Sequence, residues 1–128
     1  MKVILDTNVI VSALLTPSGL SAKILNLILN GSITIVYDNK IMIEYVEILN
    51  RKQLKINKLH VDLVINYISM EGEFRIANPL NVIFIDEDDK MFYELFKTGR
   101  IDYLITGNIK HFPKEKKIVT PREFLERI

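Results

Sequence analysis

Lys2-Val3-Ile4-Leu5-Asp6-Thr7-Asn8 decides how the rest of the chain reads. Three apolar residues, two of them β-branched, run straight into an aspartate and two short polar residues. Such a run reads as a buried strand whose far end delivers a carboxylate to the rim of a sheet. In open parallel sheets the rim at the strands' carboxyl ends is where ligands and chemistry sit. A plainer reading stands beside it: Asp, Thr and Asn also cap helices, and a helix starting near Val9 would use Asp6 that way. Acids at matching strand ends would favour the first reading.

Outward from this stretch the pattern alternates. Val9 to Leu15 reads as a short apolar helix stopped by Thr16-Pro17-Ser18-Gly19. A second helix starts at Ser18 or Ser21, carries Leu20, Ile24, Leu27 and Ile28 at 3.6-residue spacing, and ends at Asn30-Gly31. Ile33 to Tyr37 is the next strand. Helices are expected over about 41–50, with Ile41, Tyr45, Ile48 and Leu49 inward, and over about 58–71, with Val61, Val64, Ile65 and Ile68 inward. Val82-Ile83-Phe84-Ile85 reads as a third buried strand. Asp86-Glu87-Asp88-Asp89 leads into a helix burying Phe92, Leu95 and Phe96 and ending at Gly99. Tyr103-Leu104-Ile105 is a fourth strand, with Thr106-Gly107-Asn108 at its exit, and Ile118-Val119 a short fifth. Thr120-Pro121-Arg122-Glu123 has the form of a capping box opening a last helix that buries Phe124, Leu125 and Ile128. Alternating strands and helices imply parallel pairing. The expected fold is a single α/β domain over residues 1–128: a three-layer α/β/α sandwich on a parallel sheet of four to five strands.

Composition narrows the function without choosing it. The 128 residues are 48% hydrophobic, enough for one sizeable core. The 17 basic and 16 acidic residues nearly cancel, so only their distribution can speak of partners. The absence of cysteine excludes disulfides, thiolate metal sites and cysteine nucleophiles. Two histidines far apart in sequence argue against zinc. No apolar run has membrane-spanning length and the N-terminus lacks a signal-peptide pattern, so a cytoplasmic protein with no membrane contact is expected.

The acids carry the chemistry. Asp6, the Asp38/Glu44 region, Asp86 to Asp89 and Asn108 all fall at strand exits, which a parallel sheet gathers along one edge. Glu44 lies at the border of its helix's apolar stripe, where an ordinary surface glutamate also sits. One first-turn acid before Phe92 gains about 0.3–1 kcal/mol from the helix dipole, but that does not require three aspartates and a glutamate in a row. Like charges ~4 Å apart repel by about 1 kcal/mol in water and about 4 at an effective dielectric near 20. Either the pKa values rise or a cation sits among them. Hard oxygen ligands select Mg²⁺ or Mn²⁺. Such an ion lowers the pKa of an attacking water and neutralises charge on a phosphodiester. Metal-assisted hydrolysis of a phosphate ester follows as the expected reaction class.

Val3-Ile4-Leu5-Asp6-Thr7-Asn8-Val9, Glu44, Asp86-Glu87-Asp88-Asp89 with Phe92 after it, and Asp102-Tyr103-Leu104-Ile105-Thr106-Gly107-Asn108 occur in this order across essentially the whole chain. Together they resemble the PIN-domain family, and within it the branch of toxin components of toxin–antitoxin systems. The resemblance implies a Mg²⁺- or Mn²⁺-dependent endoribonuclease with a cognate antitoxin and a tendency to form homodimers. It makes Asp6, Glu44 and Asp89 the catalytic acids and metal ligands, with Asn8 and Thr106 holding them by hydrogen bonds. Asp89 takes precedence over Asp86 and Asp88 because the family's third acid stands three residues before an inward apolar position, here Phe92. Asn108 departs from the pattern, in which a fourth aspartate follows the threonine and glycine. A neutral carbonyl there weakens any second metal, with Asp86, Asp88 or Asp102 left to compensate. The competing reading is therefore a catalytically weakened PIN-fold module that binds RNA or protein. A phosphatase of the haloacid-dehalogenase type is disfavoured, because its second aspartate would stand where Asn8 does.

Basic residues gather at Arg51-Lys52, Lys55 and Lys58, and again at Lys110-His111, Lys114, Lys116 and Lys117. Either group suits an ordinary solvated loop or a rim that tracks RNA phosphates, with Arg51, Lys52, Lys110 and His111 as contacts. His60 reads as surface, and Tyr45, Tyr67, Tyr93 and Phe96 as core. Apolar residues around 9–29 suit core, a homodimer face or an antitoxin site equally.

Overall fold

β1 (Lys2–Leu5) lies at the centre of a parallel five-stranded sheet in the computed structural model, which describes residues 1–128. Val3, Ile4 and Leu5 are each fully buried. Successive strand side chains point to opposite faces, so both faces of β1 are covered and the architecture is three-layered. Each buried aliphatic side chain contributes about 1.5–3 kcal/mol, and β1 thereby anchors everything placed at its end.

The chain continues through α1 (Thr7–Leu15), α2 (Leu20–Leu29), β2 (Thr34–Tyr37), α3 (Asn39–Leu49), α4 (Lys58–Glu71) and β3 (Glu73–Phe74). It then forms α5 (Lys90–Phe96), β4 (Tyr103–Ile105), β5 (Ile118–Val119) and α6 (Pro121–Arg127). Single 3-10 turns cover Lys52–Leu54, Glu87–Asp89 and Ile109–His111. The strand order is β3-β2-β1-β4-β5, all parallel. β1 pairs with β2 on one side and β4 on the other. The order thus reverses at β1, and a crevice forms at such a switch point outside the strands' carboxyl ends. Asp6 is the first residue past that end.

Most expected elements are present, α6 with its complete capping box included. Two expectations fail. Val82–Ile85 is not a strand: Ile83 is 96% and Ile85 79% exposed, and only Phe84 is buried, against Tyr93 and Phe112. The place beside β2 is taken by Glu73–Phe74, which leaves α4 directly through Gly72. A Cβ at Gly72 would stand 2.5 Å from the Ile68 carbonyl oxygen and 3.0 Å from the Tyr37 ring, so glycine alone lets the chain turn there. Ile128 follows the last helical residue and is exposed rather than buried. Around residues 9–29 the apolar side chains are mostly buried or half-buried, with Leu15 exposed; most other exposed ones lie on α3 and α4 (Ile43, Leu59, Leu63, Met70) and in the 76–85 segment. No single helix is long and apolar enough to cross a membrane.

Candidate active site

Asp6 occupies the N-cap position of α1, yet its side chain caps nothing. The carboxylate is buried and turned across the sheet, accepting from Thr106 Oγ1 at 2.7 Å and Asn8 Nδ2 at 3.4 Å. Thr106, fully buried at the exit of β4, also accepts from the Asn108 backbone N–H at 2.9 Å. Asn8 in turn accepts from the Gly107 N–H at 3.2 Å. The exits of the two neighbouring strands are thus stitched together around one carboxylate. This geometry removes the plain capping reading of Asp6.

Glu44 enters from α3. Its neighbour Tyr45 is fully buried and donates its hydroxyl to the Leu5 carbonyl oxygen at 2.5 Å, tying α3 to the end of β1. Thr7 Oγ1 donates to Glu44. Thr7 and Tyr45 therefore position Glu44 next to Asp6, a role the sequence reading did not give them. Their positions, each adjacent to a candidate acid, were the available signal.

The third acid arrives on the 3-10 turn that opens α5. Asp89 is buried, and its Oδ2 lies 3.0 Å from His111 Nδ1, delivered by the turn after β4. Asp86, exposed, accepts from the Asp88 N–H and so shapes the turn. One ligand atom each from Asp86, Asp89 and His111 lie within 4.8 Å of one another. His111 was expected as a structural histidine or an RNA contact, with no part in the acidic cluster. No local pattern marks it as Asp89's partner, because the two meet only through the packing of α5 against β4.

Charge ties these groups into one site. Burial pushes the Asp6 carboxyl from its ordinary 3.8 up to about 6, the Thr106 hydrogen bond opposing, with the charges of Asp89 and Glu44 adding to the rise. Burial also raises Glu44, against the pull of the Thr7 bond and with help from Asp88 and Asp89. Asp89 is raised by burial, with the His111 bond opposing and Asp86 and Asp88 adding. No lysine or arginine forms an ion pair with Asp6, Glu44 or Asp89. Mutually repelling oxygens without a fixed counter-charge, beside one imidazole, are a donor set that fits a divalent cation.

The model of the PIN-domain family matches residues 2–110. The chain belongs to the PIN-domain family. PIN domains are generally nucleases that use divalent metals and act on nucleic acid, and this PIN domain carries an acidic cluster able to hold such an ion. No curated protein and no solved structure matches the chain.

Other candidates lie elsewhere. Asp102 accepts from the Lys2 backbone N–H at 2.7 Å, at the start of β1. Four residues of strand separate it from Asp6, roughly 13 Å, which removes it as a substitute for a fourth aspartate. Asn108 is exposed, and its bonds to Thr106 and His111 both run through its backbone. Arg51 and Lys52 follow the far end of α3, seven residues beyond Glu44 and thus roughly 10 Å further along the helix axis. Lys110 is exposed on the turn that carries His111.

Proposed function

We propose that this PIN domain is a Mg²⁺- or Mn²⁺-dependent endoribonuclease acting in the cytoplasm as the toxin of a toxin–antitoxin pair. The observation that supports the nuclease reading is the grouping of Asp86, Asp89 and His111 within ligand reach of one another, with Asp6 and Glu44 near enough to feel the charge of Asp89 and no lysine or arginine paired to Asp6, Glu44 or Asp89. Asp6 and Asp89 would hold the ion directly or through water, and its chemistry there would be to lower the pKa of a water and to neutralise charge on the phosphodiester. Glu44, oriented by Thr7, positions the attacking water and takes its proton as the oxygen adds to phosphorus and the ester P–O bond breaks. Thr106 and Asn8 keep the Asp6 carboxylate aimed at the crevice. The toxin role, the antitoxin partner and a homodimer are supported by the order of the motifs along the chain, and the exposed apolar residues of α3 and α4 offer surface for either protein contact.

Asn108 favours a second reading, a catalytically weakened module that binds without cutting, since it brings a neutral side chain where a fourth carboxylate would help hold a second ion. Titrating Mn²⁺ into the protein with a mixed RNA pool, with and without chelator, separates the two. Metal-dependent, chelator-sensitive cleavage is expected; binding with no cleavage at any Mn²⁺ concentration would leave only the second reading. Growth arrest on expression, relieved by the product of a small adjacent reading frame, is the expected sign of the toxin role.

A further inference from the structure

Residues 76–85 lead straight into the acidic turn, yet no main-chain hydrogen bond ties them to one another or to the rest of the protein. Most of them are exposed, Ile76, Ile83 and Ile85 included. Two contacts hold this strap. The Leu80 N–H donates to Glu94 Oε2 at 2.7 Å, and Glu94 is buried on α5 with no lysine or arginine paired to it. Phe84 is the one buried residue of the strap, its ring centroid 5.5 Å from that of Tyr93 and 5.8 Å from that of Phe112, the second contact edge-on at 87°. Tyr93 is itself fixed, donating its hydroxyl to Glu115 at 2.5 Å.

These three rings stand beside the three donors grouped within reach of one cation. Asp86 comes two residues after Phe84, Tyr93 about one helical turn after Asp89, and Phe112 directly after His111. Phe84 is thus wedged between the helix that carries Asp89 and the turn that carries His111, while its own segment delivers Asp86. Close-packed rings do not compress, so the wedge sets the separation of the elements on either side. With no ladder of main-chain bonds behind it, the strap takes its place from Phe84 and Glu94. Building on the reading of this PIN domain as a metal-dependent nuclease, we infer that Phe84 and Glu94 are positioning residues. Together they hold Asp86 and Asp89 opposite His111, and so set how tightly the site binds its divalent ion.

Variants at these two positions, made in the whole chain, test this by two measurements that do not depend on activity. In calorimetry, Phe84→Ala and Glu94→Leu should each bind Mn²⁺ about tenfold more weakly than the wild type. Glu94→Gln keeps an oxygen that accepts from Leu80 and should stay within about twofold of the wild type. Phe84→Leu, a milder truncation, should fall between. In chelator, the imidazole nitrogen resonances of His111 should move in Phe84→Ala and Glu94→Leu and stay put in Glu94→Gln, with His60, exposed on α4, as the unchanged reference. Thr120→Ala opens the capping box of α6 and should lower the melting temperature while moving neither measurement. Lower melting of Phe84→Leu and Glu94→Leu with wild-type Mn²⁺ affinity and an unmoved His111 would overturn the positioning role, and so would Glu94→Gln binding as weakly as Glu94→Leu. RNA cleavage by the wild-type chain keeps the two readings apart. The expected losses of Mn²⁺ affinity without any cleavage remove the nuclease and leave the positioning role; cleavage with every variant binding Mn²⁺ like the wild type does the reverse.

Discussion

Asp6 and Asp38 stand at equivalent places, each the residue between a parallel strand and the helix that follows, and each is buried. Asp38 does what its position suggests: its Oδ1 accepts from the Ile41 N–H at 2.9 Å and caps α3. Asp6 leaves its helix uncapped and takes its hydrogen bonds from Thr106 and Asn8 instead. The two differ in what lies across the sheet. β1 is central and has β4 beside it, so a side chain at its exit meets a second strand exit. The adjacent strand on the outer side of β2 is β3, whose next residue Arg75 donates its backbone N–H to the Tyr37 carbonyl oxygen, and no side chain from that exit bonds Asp38 as Thr106 bonds Asp6. Equivalent positions thus give a helix cap in one place and a carboxylate bonded across the sheet in the other.

The comparison can be broken at several points, in decreasing order of effect. Asp6→Asn or Asp89→Asn should lower RNA cleavage by at least about 10²-fold while the circular dichroism spectrum and melting behaviour persist. Unchanged cleavage in both variants would remove these residues from the site. The acid–base behaviour of Asp6 gives the next effect. Its folded pKa of about 6 lies above the unfolded value of 3.8, so the folded state holds this proton more tightly. Without metal, stability should therefore fall as pH rises from about 4 to 6, by about 3 kcal/mol, and stay low above that. Denaturant melts in chelator should show this slope in the wild type and a shallower one in Asp6→Asn, where the raised Glu44 and Asp89 keep their own share.

Thr106→Val keeps shape but removes the hydroxyl that Asp6 accepts from. A loss of about 1–3 kcal/mol in denaturant melts is expected, together with a further rise of the Asp6 pKa measured by carboxyl NMR. Asp38→Ala should cost the least, about 1 kcal/mol of stability through the lost cap, with Mn²⁺ affinity by calorimetry unchanged. A loss of metal affinity in Asp38→Ala as large as in Asp6→Asn would erase the contrast between the two strand exits.

How much of this could be read along the chain depends on the range of the interaction that decides each feature. The capping box at Thr120, the ends of α4 and the buried run of β1 are set within a few residues by side-chain size, hydroxyl position and spacing, and they read correctly. The Val82–Ile85 run did not, because β-branched residues describe a strand's side chains and not whether a partner strand is free. The edge of β2 was already taken by Glu73–Phe74, whose two residues carry no hydrophobic pattern.

For the site, the sequence by itself determined which acids were available and that they stood at strand exits and a helix opening, since those are local positions. Only the tertiary structure decided that Asp6 turns from its helix to Thr106, that Tyr45 and Thr7 bring Glu44 alongside, and that His111 meets Asp89. The physical reason is that hydrogen bonds and charge repulsion between residues as many as a hundred positions apart have no trace in local spacing. They come into being when the sheet closes around β1.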